Sequence, residues 1–260
     1  MRMKRQTDND DMPIGRILSR REILALLGGS GAVLLAACAP GVLASPSPTT
    51  AAQPTNAATT TAASSAATLP SCIVRPAVTE GPYFVDEKLN RSDIRSDPTT
   101  GAVKDGAPFA LTFLVSRVTG SACAALSGAT IDIWHCDALG VYSDATDPTF
   151  NTKGQKFLRG YQTTDATGKA QFTTIYPGWY QGRAVHIHFK IRTATSEFTS
   201  QLFFEDALNT LVFAQLPYSQ KGTQAVMKNA ADGIYKSQLL LAVTKSGNAY
   251  AATFDIGLAS

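Results

Sequence analysis

Two of the chain's three histidines, His186 and His188, stand one residue apart in the apolar run Val185-His186-Ile187-His188-Phe189. Successive side chains of a strand point to opposite faces, so both imidazoles would project from one face, with Ile187 and Phe189 on the other. Two neutral imidazoles side by side are a good start on a transition-metal site. The same pair would also suit a sheet surface. Two tyrosines add oxygen donors. Tyr180 ends Pro177-Gly178-Trp179-Tyr180, a turn entering the histidine run, and Tyr142 closes the stretch that leaves Trp134. A phenol beside a highly charged cation gives up its proton. Away from one, a tyrosine in a β protein is usually a half-buried packing residue. Arg183 lies three residues before His186.

These side chains need elements to hold them. β-favouring runs recur at 109–118, at 130–134 after Leu126-Ser127-Gly128, at 170–175 after Asp165-Ala166-Thr167-Gly168, at 185–191 and at 201–204. The runs 238–244 and 249–256 flank Lys245-Ser246-Gly247-Asn248 and predict a hairpin. Strands at this spacing predict an all-β fold, a β-sandwich of mostly antiparallel strands with long loops and one or two short helices. The helical candidates, as short helices or ordered loops, are 208–214 and 223–231. Residues 79–97 are polar and rich in turn residues, the kind of long loop that carries function in a compact domain.

At 260 residues and 44% hydrophobic content the chain can bury a substantial core. A net charge of +3, with no basic cluster beyond the N-terminus, gives no reason to expect a nucleic-acid partner. Cys38, Cys72, Cys123 and Cys136 show no C-x-x-C spacing, which argues against a zinc ribbon or thioredoxin-type site. Residues 1–21 are polar and basic and end in Ser19-Arg20-Arg21, and 23–37 are apolar but short for a bilayer span. That order reads as an export signal of the twin-arginine kind. Leu35-Ala36-Ala37-Cys38 has the form of a bacterial lipobox, with Cys38 the lipidated residue. Cleavage at an A-x-A-like site, releasing a secreted protein, is the alternative. Residues 39–70, almost wholly Ala, Thr, Ser and Pro without a charge, predict a disordered spacer. The expected organisation is therefore an export signal over 1–38, a spacer over 39–70 and a folded domain over 71–260. Its place would be extracytoplasmic, anchored to the cell membrane through Cys38. There, Cys72, Cys123 and Cys136 can supply one disulfide and one free thiol, with Cys123, in a turn-like stretch, a partner in the bridge.

Six segments carry a family resemblance: T-E-G-P-Y-F at 79–84, W-H-C-D-A-L-G-V-Y at 134–142, L-R-G at 158–160, T-D-A-T-G-K-A-Q-F-T-T-I-Y-P-G-W-Y at 164–180, R-A-V-H-I-H-F at 183–189 and S-Q-L-F-F at 200–204. In this order they resemble the intradiol ring-cleavage dioxygenases, the non-haem iron(III) enzymes that include catechol and protocatechuate dioxygenases. The resemblance implies iron(III) held by Tyr142, Tyr180, His186 and His188. A hard ferric ion suits anionic oxygen donors, and two phenolates and a hydroxide would cancel its charge in a partly buried cleft. It also implies the reaction, in which a catechol-type diol and O2 give a cis,cis-muconate-type diacid. In that scheme Tyr180 leaves the metal and acts as base, Arg183 stabilises negative charge on the ring, and Gln201 helps hold Arg183. Gly81, Pro82 and Tyr83 match a segment that lines the substrate cleft. His135 is left a structural role.

The chain departs from the family pattern in two places. Ala184 follows Arg183 where the family usually has proline, and only Gln181 and Gly182 separate Tyr180 from Arg183. That compact form resembles exported members. Two other readings stand beside this one. One is a surface-anchored β-sandwich binding module with a non-catalytic metal site. The other is a cupin, which would need a carboxylate soon after the histidines, whereas the first acid after His188 is Glu197.

Overall fold

The computed structural model describes residues 73–259, so the expected export signal and spacer, with Cys38 and Cys72, lie outside the described residues. The first strand, β1 (Pro108–Thr119), buries Phe109, Leu111, Phe113 and Val115 and turns Ala110, Thr112 and Leu114 outward, the period of two that a half-buried strand requires. There follow β2 (Ala122–Ala125), β3 (Thr130–Trp134), β4 (Thr146–Asp147), β5 (Phe150–Asn151), β6 (Arg159–Thr163) and β7 (Lys169–Ile175). Then come β8 (His186–Arg192), β9 (Glu197–Phe203), the helix α1 (Asp206–Phe213), β10 (Thr244–Ser246) and β11 (Ala249–Ala259).

β1 is the spine of one sheet. It runs parallel to β11 on one edge and antiparallel to β7 and then β2 on the other, and β10 pairs antiparallel with β11. The second sheet, in the order β6-β3-β8-β9, is antiparallel throughout. The two pack face to face, with the Phe113 ring 5.2 Å from Phe189 and Phe254 5.6 Å from Phe189. The fold is thus the expected all-β sandwich, mostly antiparallel, with one short α-helix among the described residues.

Several boundaries differ from the sequence expectation. The hairpin forms, but its first arm is only β10. Residues 238–244 were expected to be a strand; instead a 3-10 turn, Ser237–Leu239, opens the stretch. Leu239 and Leu241 do alternate inward, yet the Leu241 amide bonds to Phe203 O, so the run crosses the end of β9 and extends no ladder. Helix α1 matches 208–214 and buries Val212 and Phe213. Residues 223–231 hold only the 3-10 turn Asn229–Ala231, and Met227 bridges to Ala184. β2, β4, β5 and β6 were unforeseen, being short or polar. Cys123 lies in β2, not in a turn, and is disulfide-bonded, while Cys136 is free and buried.

β8 carries both histidines and is buried on both faces. Its inner face, Ile187, Phe189 and Ile191, fills the sandwich, and its outer face carries His186, His188 and Lys190. Residues 79–84 cross that outer face as a strap. The Val78 amide donates to Thr199 O of β9, Gln201 Nε2 donates to Thr79 O, and Lys190 pairs with Glu80 under the Phe84 ring.

Candidate metal centre

The register of the second sheet sets Trp134 of β3 and Gln201 of β9 opposite His188, and Phe203 opposite His186. His186 Nδ1 is 2.6 Å from Ala184 O. A carbonyl only accepts, so Nδ1 carries the hydrogen and Nε2 of the neutral ring offers its lone pair. That Nε2 lies 2.9 Å from His188 Nε2 and 3.2 Å from Tyr180 Oη. His188 is oriented differently. Its ring stacks on Trp134 at 5.0 Å and 9°, and a Cβ at Gly81 would come within 3.1 Å of its Cε1. Gly81 also has φ +74°, so glycine is required there both for conformation and for the close approach.

Both tyrosines sit on loops tied to each other. Asp137 organises the first, accepting from the Leu139 and Val141 amides and pairing with Lys104. The second loop docks on it through Gly178 N donating to Asp137 O. At Gly140, with φ +82°, any Cβ would collide with Trp179 O, so only glycine lets the loops meet backbone to backbone. Lys221 Nζ closes the junction by donating to Leu139 O and Trp179 O. Tyr142 is left 1% exposed, with its ring edge-on to Tyr180 and His188 and stacked against Tyr83 at 4.3 Å and 20°. Tyr180 is half-buried.

Burial sets the charge state of these groups. It pushes Tyr142 well above the usual phenol range, and Tyr180 up to about 12 despite the opposing Arg183 cation. It lowers His186 to about 3 and His188 well below the imidazole range. Near neutral pH, then, two uncharged phenols meet two uncharged imidazoles. Buried Tyr142 Oη and His188 Nδ1 have no hydrogen-bond partner among the described residues. Nor do three His, Cys, Asp or Glu side chains converge among them; the converging donors are imidazole and phenol. This set fits a small, highly charged cation, which would ionise the phenols and give the orphaned Oη a partner. Softer cations would lack a thiolate.

Arg183 is held from two sides, its Nη2 donating to Gln201 Oε1 and its Nε to Asp232 Oδ2 at 3.0 Å. Tyr83 donates from its hydroxyl to Asp147 Oδ2 at 2.8 Å, and with Pro82 it lines an open groove of about 520 Å³ beside Asp144 and Lys153. Gly81 and Tyr83 therefore lie against the cluster, at His188 and Tyr142, while Pro82 lines only the neighbouring groove. His135 is fully buried between Cys136 O and Thr174 Oγ1, as a structural residue would be. Three contributors were given no role from the sequence, although Trp134 and Arg159 stand in two of the quoted motifs. Trp134 backs His188. Buried Arg159 donates to Ser143 Oγ and to Tyr83 O, joining the strap to the Tyr142 loop. Asp232 sits in an Asp-Gly pair that reads simply as a turn.

A family model described as Dioxygenase matches residues 79–258, the range that holds all these side chains. The chain is 30% identical to the protocatechuate 3,4-dioxygenase beta chain of Burkholderia cepacia over 188 residues, 68% of this chain and 76% of that one. Against catechol 1,2-dioxygenase 1 of Acinetobacter lwoffii it is 27% identical over 154 residues, 50% of this chain and 46% of the other. It thus spans about half the length of that relative. Among solved structures, the intradiol ring-cleavage dioxygenase of Tetranychus urticae aligns with a TM-score of 0.63 at 29% identity, covering 72% of this chain and 94% of that one.

Proposed function

The chain belongs to the intradiol dioxygenase family, and from that premise we propose that it cleaves a catechol-type aromatic diol with O2, between the two hydroxyl-bearing carbons, to a cis,cis-muconate-type diacid. The observation that carries this reading is the convergence of Tyr142, Tyr180, His186 and His188 beside Arg183. Those four side chains would hold iron(III). Bound there, the ion would supply the charge that ionises both phenols and the electron acceptor that makes a catecholate ring reactive towards O2.

The chain's own residues divide the remaining work by exposure. Tyr142, enclosed and stacked by Tyr83, is the permanent donor. Tyr180, half-buried, is the phenol a substrate can reach, and its Oη takes a proton from the diol as general base. Buried His186 and His188 stay uncharged and add no positive charge to the site. Arg183 keeps Nη1 free of protein partners among the described residues, and this nitrogen faces negative charge developing on the ring. Gly81, Pro82 and Tyr83 wall the ring's binding place. Met227 bridges to Ala184 beside Arg183, and substrate choice would be made around the short Gln181-Gly182 link next to it.

The iron-loaded protein should be red-brown from tyrosinate-to-iron charge transfer. Catechol added without oxygen should change the colour, and admitting oxygen should release a muconate. A colourless protein, free of iron after careful loading, would contradict the proposal. The N-terminal sequence supports export by the twin-arginine route with anchoring through Cys38. Changing Arg20 and Arg21 to lysine should then retain the protein in the cell, and normal export of that variant would refute the route.

A further inference from the structure

We propose that Asp232 is the positioning residue that fixes the orientation of Arg183 for ring cleavage, an assignment that rests on the dioxygenase reading. Its side chain is 2% exposed, and its Oδ2 serves the arginine and the backbone beside it while Oδ1 closes the local turn. Oδ2 accepts both Arg183 Nε at 3.0 Å and the Ala184 amide at 2.8 Å, while Oδ1 accepts the Ile234 amide at 2.8 Å. One carboxylate oxygen thus holds the guanidinium and the backbone that carries it. Hydrogen bonds to an ionised carboxylate are roughly twice as strong as neutral ones, so the lock is a firm one.

Gln201 completes the arrangement from the other side. Its Oε1 accepts Arg183 Nη2, and its Nε2 donates to Thr79 O of the strap at 2.9 Å. With Nε and Nη2 held by residues from two different segments, the planar guanidinium has a single orientation, and Nη1 remains for the substrate. Local sequence cannot do this. Gln181 and Gly182 are exposed, and Gly182 has φ +90° with open space around it. The tether before Arg183 is therefore weak, and Asp232, 49 residues downstream, together with the Ala184–Met227 bridge supplies the rigidity.

The test is a double-mutant cycle on the iron-loaded protein with Asp232→Asn and Arg183→Ala. Asparagine keeps the shape but can satisfy only one of the two sets of donors. Asp232→Asn should lower kcat by about 10–100-fold, the usual cost of losing an outer partner at such a site, with iron content and the charge-transfer band unchanged. In the Arg183→Ala background it should add less than about twofold. Anaerobic binding of 4-nitrocatechol, followed by its visible spectrum, should weaken in each single variant without adding in the double one. Equal losses in both backgrounds, or a fully active Asp232→Asn, would overturn the assignment. Should Asp232→Asn fail to fold, Asp232→Glu retains the charge one methylene further out and should show the same non-additive loss; wild-type kcat in that variant would overturn it equally. An iron-loaded wild type that neither binds 4-nitrocatechol nor opens catechol would defeat the dioxygenase reading itself, and this assignment with it.

Discussion

Replacing Gly81 by alanine tests how His188 is held, and Gly101 provides the control. The two glycines have nearly the same backbone, φ +74° and +75°, but a Cβ at Gly101 would meet nothing within 4 Å. An L-residue in the left-handed region costs about 1–2 kcal/mol, so Gly81→Ala and Gly101→Ala should both lose that much stability in urea unfolding. Only at Gly81 does the new methyl press on a candidate ligand. Its 3.1 Å approach to His188 Cε1 falls 0.3 Å short of the 3.4 Å at which ordinary contact begins, and Trp134, stacked on that ring, resists its retreat. If a 1 Å misplacement costs about a hundredfold, a 0.3 Å shift costs about fourfold. That loss should appear in kcat and in iron retention against a competing chelator, read from the visible band, for Gly81→Ala alone. Identical kcat and iron retention in the two variants would refute the claim that the strap positions His188.

The other predictions concern charge and donors. Metal-free protein should lose stability as the pH falls from about 6.5 to about 4, because burial holds folded His135 near 4 while the unfolded chain takes up the proton near 6.5. His135 alone should account for about 3 kcal/mol of that loss at the acid end, so His135→Gln should make the profile of urea midpoint against pH less steep, with buried His186 and His188 supplying the slope that remains. Glu80→Gln should destabilise the fold by up to about 3 kcal/mol by leaving buried Lys190 with only the more exposed Glu197 at 3.6 Å, and Lys190→Met should cost less by chemical denaturation. Tyr142→Phe should abolish or greatly weaken iron binding, measured as metal content after loading; full retention would remove Tyr142 from the ligand set.

Much of this site was legible because strands enforce a period of two. His-x-His on β8 had to present both imidazoles on one face, and the alternation of Phe109 to Val115 had to make a core strand. Tyr142 and Tyr180 became legible only through the ordered motifs, since nothing local tells a ligand tyrosine from a packing one. The strand expected at 238–244 shows the limit from the other side. Its consecutive leucines, Leu239 to Leu241, reported burial truthfully, but burial against the end of β9, which pattern alone cannot distinguish from a ladder. The roles of Asp232 and of Arg159, the latter despite its place in the L-R-G segment, were hidden for a similar reason. Each acts on residues dozens of positions away, and the first also makes the local Asp-Gly turn that the sequence announces. Gly81 was expected at the substrate cleft from its motif, while its contact with His188 needed the strap's path across β8.

The central claim is that these four donors and Arg183 serve intradiol cleavage. Its most direct measurement is a turnover of catechol by the iron-loaded protein under 18O2, with the product analysed by mass spectrometry. The proposed chemistry predicts a cis,cis-muconate-type diacid carrying one labelled oxygen in each carboxyl group. An aldehyde-acid from cleavage outside the diol, an unlabelled product, or intact catechol in the presence of stoichiometric iron would contradict it.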